Sequence, residues 1–155
     1  MENPDSSDDY RWRAHNPGRV MSHALQRFEE RVLALMAQAG YTDTRRTHVN
    51  LTRHLDLDGT RITELARRAA MTNAAMTELI DQCAQLGLVE RGPDPADKRA
   101  RIVRFTPLGR SWLAAFGQAV LQAEQEMAQA VGRPALDTAM AALAVYAQPM
   151  QAPQD

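Results

Sequence analysis

Residues 60–110 read TRITELARRAAMTNAAMTELIDQCAQLGLVERGPDPADKRARIVRFTPLGR, and the fold turns on this stretch. Thr63 suits a helix N-cap, with Glu64 in the first turn, where a carboxylate favours the helix dipole. ELARRAA continues that short helix. Thr72 is the next N-cap; it opens a helix that runs to about residue 86 and stops at Gly87, where a left-handed residue is wanted. Two helices joined by a turn of about three residues make a helix-turn-helix. Beyond Gly87 the period changes. LVER is a short extended run, GPDPADK is turn-forming, and RARIVRFT is β-branched and extended, which together predict a hairpin with a basic tip. Thr106-Pro107 then pairs an N-cap with proline at the first helical position.

Working outward, the helix opened at Thr106 carries Leu108, Trp112, Phe116, Val120, Ala123, Met127 and Val131 on one stripe and ends near Gly132. An alanine-rich helix follows from about Pro134 to Ala147. Upstream, Met21, Leu25, Phe28, Val32, Leu35 and Ala39 recur at spacings of three and four, which predicts a long amphipathic helix from Val20, closed by Gly40. A second helix spans about Thr44 to Leu55, with His48, Leu51 and Leu55 on one face, and Asp58-Gly59 makes a turn. Residues 1–18 read as a disordered, acidic N-terminal segment and 148–155 as a frayed tail. The expected fold class is mainly α with a small β-wing, in one domain over 19–147. The terminal helical blocks, 19–40 and 107–147, are too narrow and too rich in Ala and Met to form a second core alone. They make sense packed against copies of themselves.

Composition narrows the function. The chain has 155 residues, 45% hydrophobic and 24% charged, as in an ordinary soluble domain. No run approaches the ~18 consecutive apolar residues of a membrane span, and MENPDSSDDY lacks the basic and apolar regions of a secretory signal. The expected compartment is the cytoplasm. One cysteine, Cys83, excludes an internal disulfide framework and a cysteine-based zinc cluster; on an apolar stripe it reads as a small buried hydrophobe. His15, His23, His48 and His54 show no metal-ligand spacing, so neither a metal nor a cofactor is expected. Net charge is only −1, yet its distribution is uneven: residues 59–110 hold nine basic and six acidic residues, a net of +3. Five of those nine cations crowd into residues 98–110. A local basic patch counts for more than overall charge when the partner is a polyanion.

The segment from about Leu51 to Trp112 resembles the winged helix-turn-helix of MarR-type bacterial transcription regulators. The resemblance lies in ITELARRA, in MTNAAMTELIDQC with Gly87-Leu88-Val89-Glu90-Arg91, and above all in DPADKRARIVRFTPLGR. Asp94, Pro95, Asp97, Arg99, Val103, Phe105, Thr106 and Gly109 match the family's wing pattern. It implies a winged helix-turn-helix over 44–110 and dimerisation helices at 19–40 and 107–147. It also implies a homodimer on a pseudo-palindromic double-stranded DNA operator, with helix 72–86 in the major groove and the wing in the adjacent minor groove. Many members release DNA when a small aromatic or anionic effector binds between the lobes. His48 and Trp12 are the candidate effector contacts, although His48 beside Leu51 and Leu55 reads more readily as a satisfied core histidine.

These residues suit that task. Asp94-Pro95 restricts the wing turn, and Asp97, two residues before Arg99, is spaced to orient its guanidinium for a narrow groove. Lys98 and Arg101 add charge. Thr72, Asn73, Ala74, Thr77 and Glu78 are expected on the groove face, with Met76, Leu79, Ile80 and Cys83 buried. Asn can read adenine, Thr can donate to base or phosphate, and Ala can touch a thymine methyl. Glu78 departs from the family's frequent basic residue; it needs a cytosine amine or a partner such as Arg68. Arg67, Arg68, Arg91 and Arg104 suit phosphates better than bases. The leading function is thus a ligand-released repressor and not an enzyme. Alternatives are an architectural DNA binder without ligand control, and the dimerisation module of an enzyme assembly, for which this chain shows no glycine-rich cofactor loop.

Overall fold

The computed structural model describes residues 10–148. Its elements run in the order α1 (Trp12–His15), α2 (Pro17–Gln38), α3 (Arg46–His54), β1 (Thr60–Arg61), α4 (Ile62–Arg68), α5 (Asn73–Gln85), β2 (Val89–Asp94), β3 (Asp97–Phe105), α6 (Pro107–Val131) and α7 (Arg133–Tyr146). The chain is mostly helical with a small sheet, as expected. The three strands are antiparallel in the order β1-β3-β2.

Several helix ends follow from local chemistry. Thr72 caps α5 by accepting from the Ala75 N–H, and Thr106 caps α6 by accepting from Gly109 N–H. Gly87 ends α5 at φ +76°, a conformation that glycine adopts without a Cβ penalty. Gly109 answers to a different constraint. A Cβ there would lie 1.9 Å from the Leu88 carbonyl oxygen, so the start of α6 can approach the strand entry only without a side chain.

Three expectations are corrected. Residues 1–9 lie outside the described part, but residues 12–15 and 17–18 are helical, so the segment 1–18 is not disordered throughout. The long helix begins at Pro17 because the Asn16 side chain caps it, accepting from Arg19 N–H at 3.0 Å. Thr63 is not an N-cap: β1 pairs Thr60 with Val103 and Arg61 with Ile102, so the chain passes from strand to helix and Thr63 falls inside α4. The tail expected at 148–155 lies outside the described residues except for Gln148.

Leu51, Leu65, Met76, Ile80, Cys83 and Val103 are fully buried and join α3, α4, α5 and the sheet in one core. Met36, Val32, Trp112, Ala119 and Ala123 extend that core between α2 and α6. Trp112 stacks on Phe116 at 5.0 Å between ring centroids, and its indole N–H donates to Thr44 Oγ1 at 2.9 Å. The α6 stripe expected between subunits is therefore largely consumed inside the chain. The ends of the stripes, Met21, Leu25, Leu108 and Val131, stay exposed, as do Val20, Leu121, Met140, Leu143 and Tyr146 on the terminal helices.

Candidate nucleic-acid interface

Helix α5 divides as the periodicity requires. Met76, Leu79, Ile80 and Cys83 face the core, and Asn73, Ala74, Thr77 and Glu78 are exposed with Thr72 at the cap. Burial pushes the Cys83 thiol up to about 12, so it stays protonated and unreactive. Two groove-face hydroxyls already have local bonds. Thr72 Oγ1 accepts from Ala75 N–H, and Thr77 Oγ1 donates to the Asn73 carbonyl at 2.8 Å. Thr72 Oγ1 thus acts as an acceptor, whereas the Thr77 hydroxyl already spends its proton on a local carbonyl. Glu78 is exposed and does not meet Arg68. That arginine instead pairs with Glu64 and Asp56 and donates to the His54 carbonyl.

The wing is braced in a way the sequence did not suggest. Asp94 is nearly buried; its Oδ1 accepts from Ala96 N–H at 2.9 Å and its Oδ2 from Arg61 Nε at 2.8 Å. One carboxylate thus closes the wing turn and grips β1. The Ala96 N–H, and then Arg61, hold the Asp94 carboxyl below the usual carboxylate range. Asp97 does not orient the Arg99 guanidinium. Its Oδ1 accepts from the Arg99 backbone N–H at 3.0 Å, and its Oδ2 lies 3.7 Å from Arg61 Nη2. Both wing carboxylates thus face Arg61, which sequence reasoning missed. No local signal marks it, since only the β1–β3 pairing brings residue 61 to the wing.

The cations separate into two groups. Arg91 pairs with Asp81 at 2.7 Å, joining β2 to α5, and Arg104 pairs with Glu90 across the hairpin at 2.9 Å. Arg67 and Arg68 share Glu64, whose carboxyl they hold down at about 2. All four, offered above as phosphate contacts, therefore already carry ion pairs. Lys98, Arg99 and Arg101 are exposed on the wing and carry no ion pair among the described residues.

His48 is buried on α3, and its Nδ1 accepts from the Arg45 backbone N–H at 3.1 Å. Burial, and then the nearby Arg45 charge, lower its pKa. It is a satisfied core histidine. Trp12 lies exposed on α1. Neither residue lines the adjoining clefts between α2, α3 and α6, which are bordered instead by Leu25, Glu29 and Arg53. Among the described residues, no cluster of His, Cys, Asp or Glu could hold a metal ion. None of their helices is long and apolar enough to cross a membrane.

The sequence profile of the MarR family matches residues 47–100, the span from α3 to the wing. No curated protein matches the chain in sequence. Solved structures do match in fold. Wild-type MarR from E. coli, in its apo form, is 20% identical with a TM-score of 0.69, covering 86% of this chain and 98% of its own. The transcriptional repressor CouR, bound to a 23-mer DNA duplex, is 23% identical with a TM-score of 0.68, over 90% and 97% of the two chains. CouR from Rhodococcus jostii RHA1, bound to p-coumaroyl-CoA, is 18% identical with a TM-score of 0.71, over 90% and 96%. The family-model match covers the helix-turn-helix and most of the wing, and the likeness to solved structures shows the same fold over most of the chain.

Proposed function

We propose that the protein is a cytoplasmic, homodimeric repressor that binds a pseudo-palindromic operator and releases it when a small aromatic anion binds. The observation that carries the DNA half is the separation of the cations. Asp94, Asp81 and Glu90 fasten Arg61, Arg91 and Arg104 into the scaffold and leave Lys98, Arg99 and Arg101 unpaired on the wing. Asn73, Ala74, Thr77 and Glu78 present an exposed face for base edges, and Thr72 at the cap suits a phosphate. Arg67, Arg68, Arg91 and Arg104 act on DNA mainly by holding this frame.

The exposed apolar residues of α2, α6 and α7 support the dimer, because they have no cover within one chain. A dimer would present two recognition helices, which is the reason to expect a two-fold operator. The cleft lined by Leu25, Phe28, Val32, Val49, Phe116 and Val120, about 220 Å³, supports an aromatic effector. It adjoins a more polar cleft of about 360 Å³ that includes Arg46, Asn50 and Arg53. CouR, a fold neighbour, has been seen with DNA and with p-coumaroyl-CoA, which gives precedent for both halves.

The test is a gel-shift titration on DNA flanking the native gene, repeated with a panel of aromatic acids. Retardation that one acid reverses is the expected result. Binding that no sequence change or acid alters would instead identify an architectural DNA binder.

A further inference from the structure

Residues 59–110 carry six side-chain carboxylates, and five of them face an arginine. Glu64 pairs with Arg67 and Arg68, Asp81 with Arg91, Glu90 with Arg104, and Asp94 and Asp97 with Arg61. Glu78 is the sixth. It is exposed on α5, and its carboxylate has no ion pair or hydrogen bond among the described residues. Asp81 on the same helix reaches Arg91 at 2.7 Å, so the scaffold does hold a carboxylate that it uses. It makes no use of Glu78. The neighbours of Glu78 define the chemistry around it. Ala74, one turn earlier, is exposed and apolar, and the Thr77 hydroxyl donates to the Asn73 carbonyl at 2.8 Å, which leaves only lone pairs facing outward. From residue 74 to residue 78 the exposed face of α5 thus offers acceptors and no side-chain donor.

We infer that Glu78 is a specificity residue, which selects DNA by accepting from the N4 amine of one cytosine in the major groove. The inference rests on the proposal that α5 enters that groove. A carboxylate there is repelled by the phosphates of every duplex alike. Guanine and thymine increase the repulsion, because their polar groups in the major groove are all acceptors. Two bases offer an amine. Adenine sets its N7 acceptor beside N6, whereas cytosine shows N4 with no acceptor next to it on the same base. Cytosine is therefore the base that relieves the carboxylate without opposing it. Glu78 acts by penalty as much as by contact: it weakens binding to all sequences and returns part of the loss only where that cytosine stands. Lys98 and Arg101 on the wing, which attract the phosphates of any duplex, let the chain carry a repelling group in the groove.

Selection from a randomised duplex library tests this on the full chain, with wild type, Glu78→Ala and Glu78→Gln in parallel. Wild type is expected to enrich a sequence with cytosine at one position that Glu78→Ala leaves unselected. Glu78→Gln keeps the reach and adds a donor, which suits adenine N6 and N7, so that position should turn from cytosine to adenine. Changing its C·G pair to T·A in the enriched duplex should cost wild type about tenfold in affinity and Glu78→Ala no more than about twofold. Glu78→Ala should also hold a duplex of unrelated sequence more tightly than wild type does. If Glu78→Ala keeps every base preference of wild type, the inference is overturned while the regulator reading stands. It is equally overturned if the preference lost in Glu78→Ala is for a base other than cytosine. A wild-type chain that enriches no sequence refutes the sequence-specific reading itself. With no partner to lose, both variants should match wild type by circular dichroism; a variant that fails to fold would assign Glu78 to the scaffold and overturn the inference.

Discussion

Lys98 and Arg99 stand side by side on the wing, and neither side chain has an ionic partner among the described residues. What distinguishes them is the head group. A planar guanidinium enters a narrow A·T minor groove better than a hydrated ammonium. Arg99→Ala is expected to cost on the order of 1–3 kcal/mol of operator affinity, and Lys98→Ala less. The Arg99 loss should shrink when A·T pairs under the wing become G·C. Titration of each variant against both operators checks this; equal, base-independent losses would mean that the wing supplies only diffuse charge. His48 gives a residue-scale prediction in another quantity. Its folded-state pKa is lowered, so between that value and about 6.5 the unfolded chain takes a proton that the folded chain refuses. Stability contributed by the neutral imidazole is complete above this window and falls as pH falls through it. His54 is shifted the same way and adds to the slope. The melting temperature should therefore drop from pH 7.5 to 5.5, and His48→Asn should flatten that drop.

At the scale of elements, the hairpin is held from both sides. Arg61 ties it to β1 through Asp94, and Arg91 ties it to the recognition helix through Asp81. If the Arg61–Asp94 bond positions the wing, Arg61→Leu and Asp94→Asn should each weaken operator binding, and the double variant should lose much less than their sum. Additive losses in a double-mutant cycle would show that the two side chains act separately. The junction of α5, β2 and α6 has less tolerance. Thr106 Oγ1 donates to the Gly87 carbonyl, and Thr106 N–H donates to the Leu88 carbonyl at 3.1 Å, which draws α6 against the strand entry. Gly109→Ala would force a methyl into the Leu88 carbonyl. A destabilisation of about 3 kcal/mol is expected from urea unfolding, the upper end for overpacking in a tight site.

At the scale of the whole molecule, one core runs from α3, α4, α5 and the sheet into α2 and α6, whereas the outer faces of the terminal helices leave apolar residues open. Leu121 and Met140 are roughly half exposed although they lie on long helices with little else to cover. Charging them places an ion in the proposed subunit interface, where burial without a partner is prohibitive. Leu121→Asp and Met140→Asp should give folded monomers or unfolded chains, read by sedimentation and circular dichroism. Leu25 and Val120 are poorer probes, since they line the cleft and would confound dimerisation with effector binding. A well-folded wild-type monomer at micromolar concentration would refute the dimer.

The local order of this protein was legible in its sequence. Thr72 with Gly87, and Thr106 with Pro107 and Gly132, mark helix ends within a few residues of themselves, and the 3.6-residue period sorts Met76, Leu79, Ile80 and Cys83 inward. The wing motif pointed to the family model that matches residues 47–100 for the same reason: turn chemistry and strand alternation act over short spans. The partners of the charges were decided only by the tertiary structure. Asp97 is two residues from Arg99, yet its side chain accepts from that residue's backbone N–H and faces the Arg61 guanidinium. Asp94 reaches 33 residues to Arg61, and Glu29 reaches 24 to Arg53. The physical reason is that a long cationic side chain pairs with whichever carboxylate the packed strands and helices bring within about 3 Å at a shielded position. Spacing along the chain carries no record of that encounter.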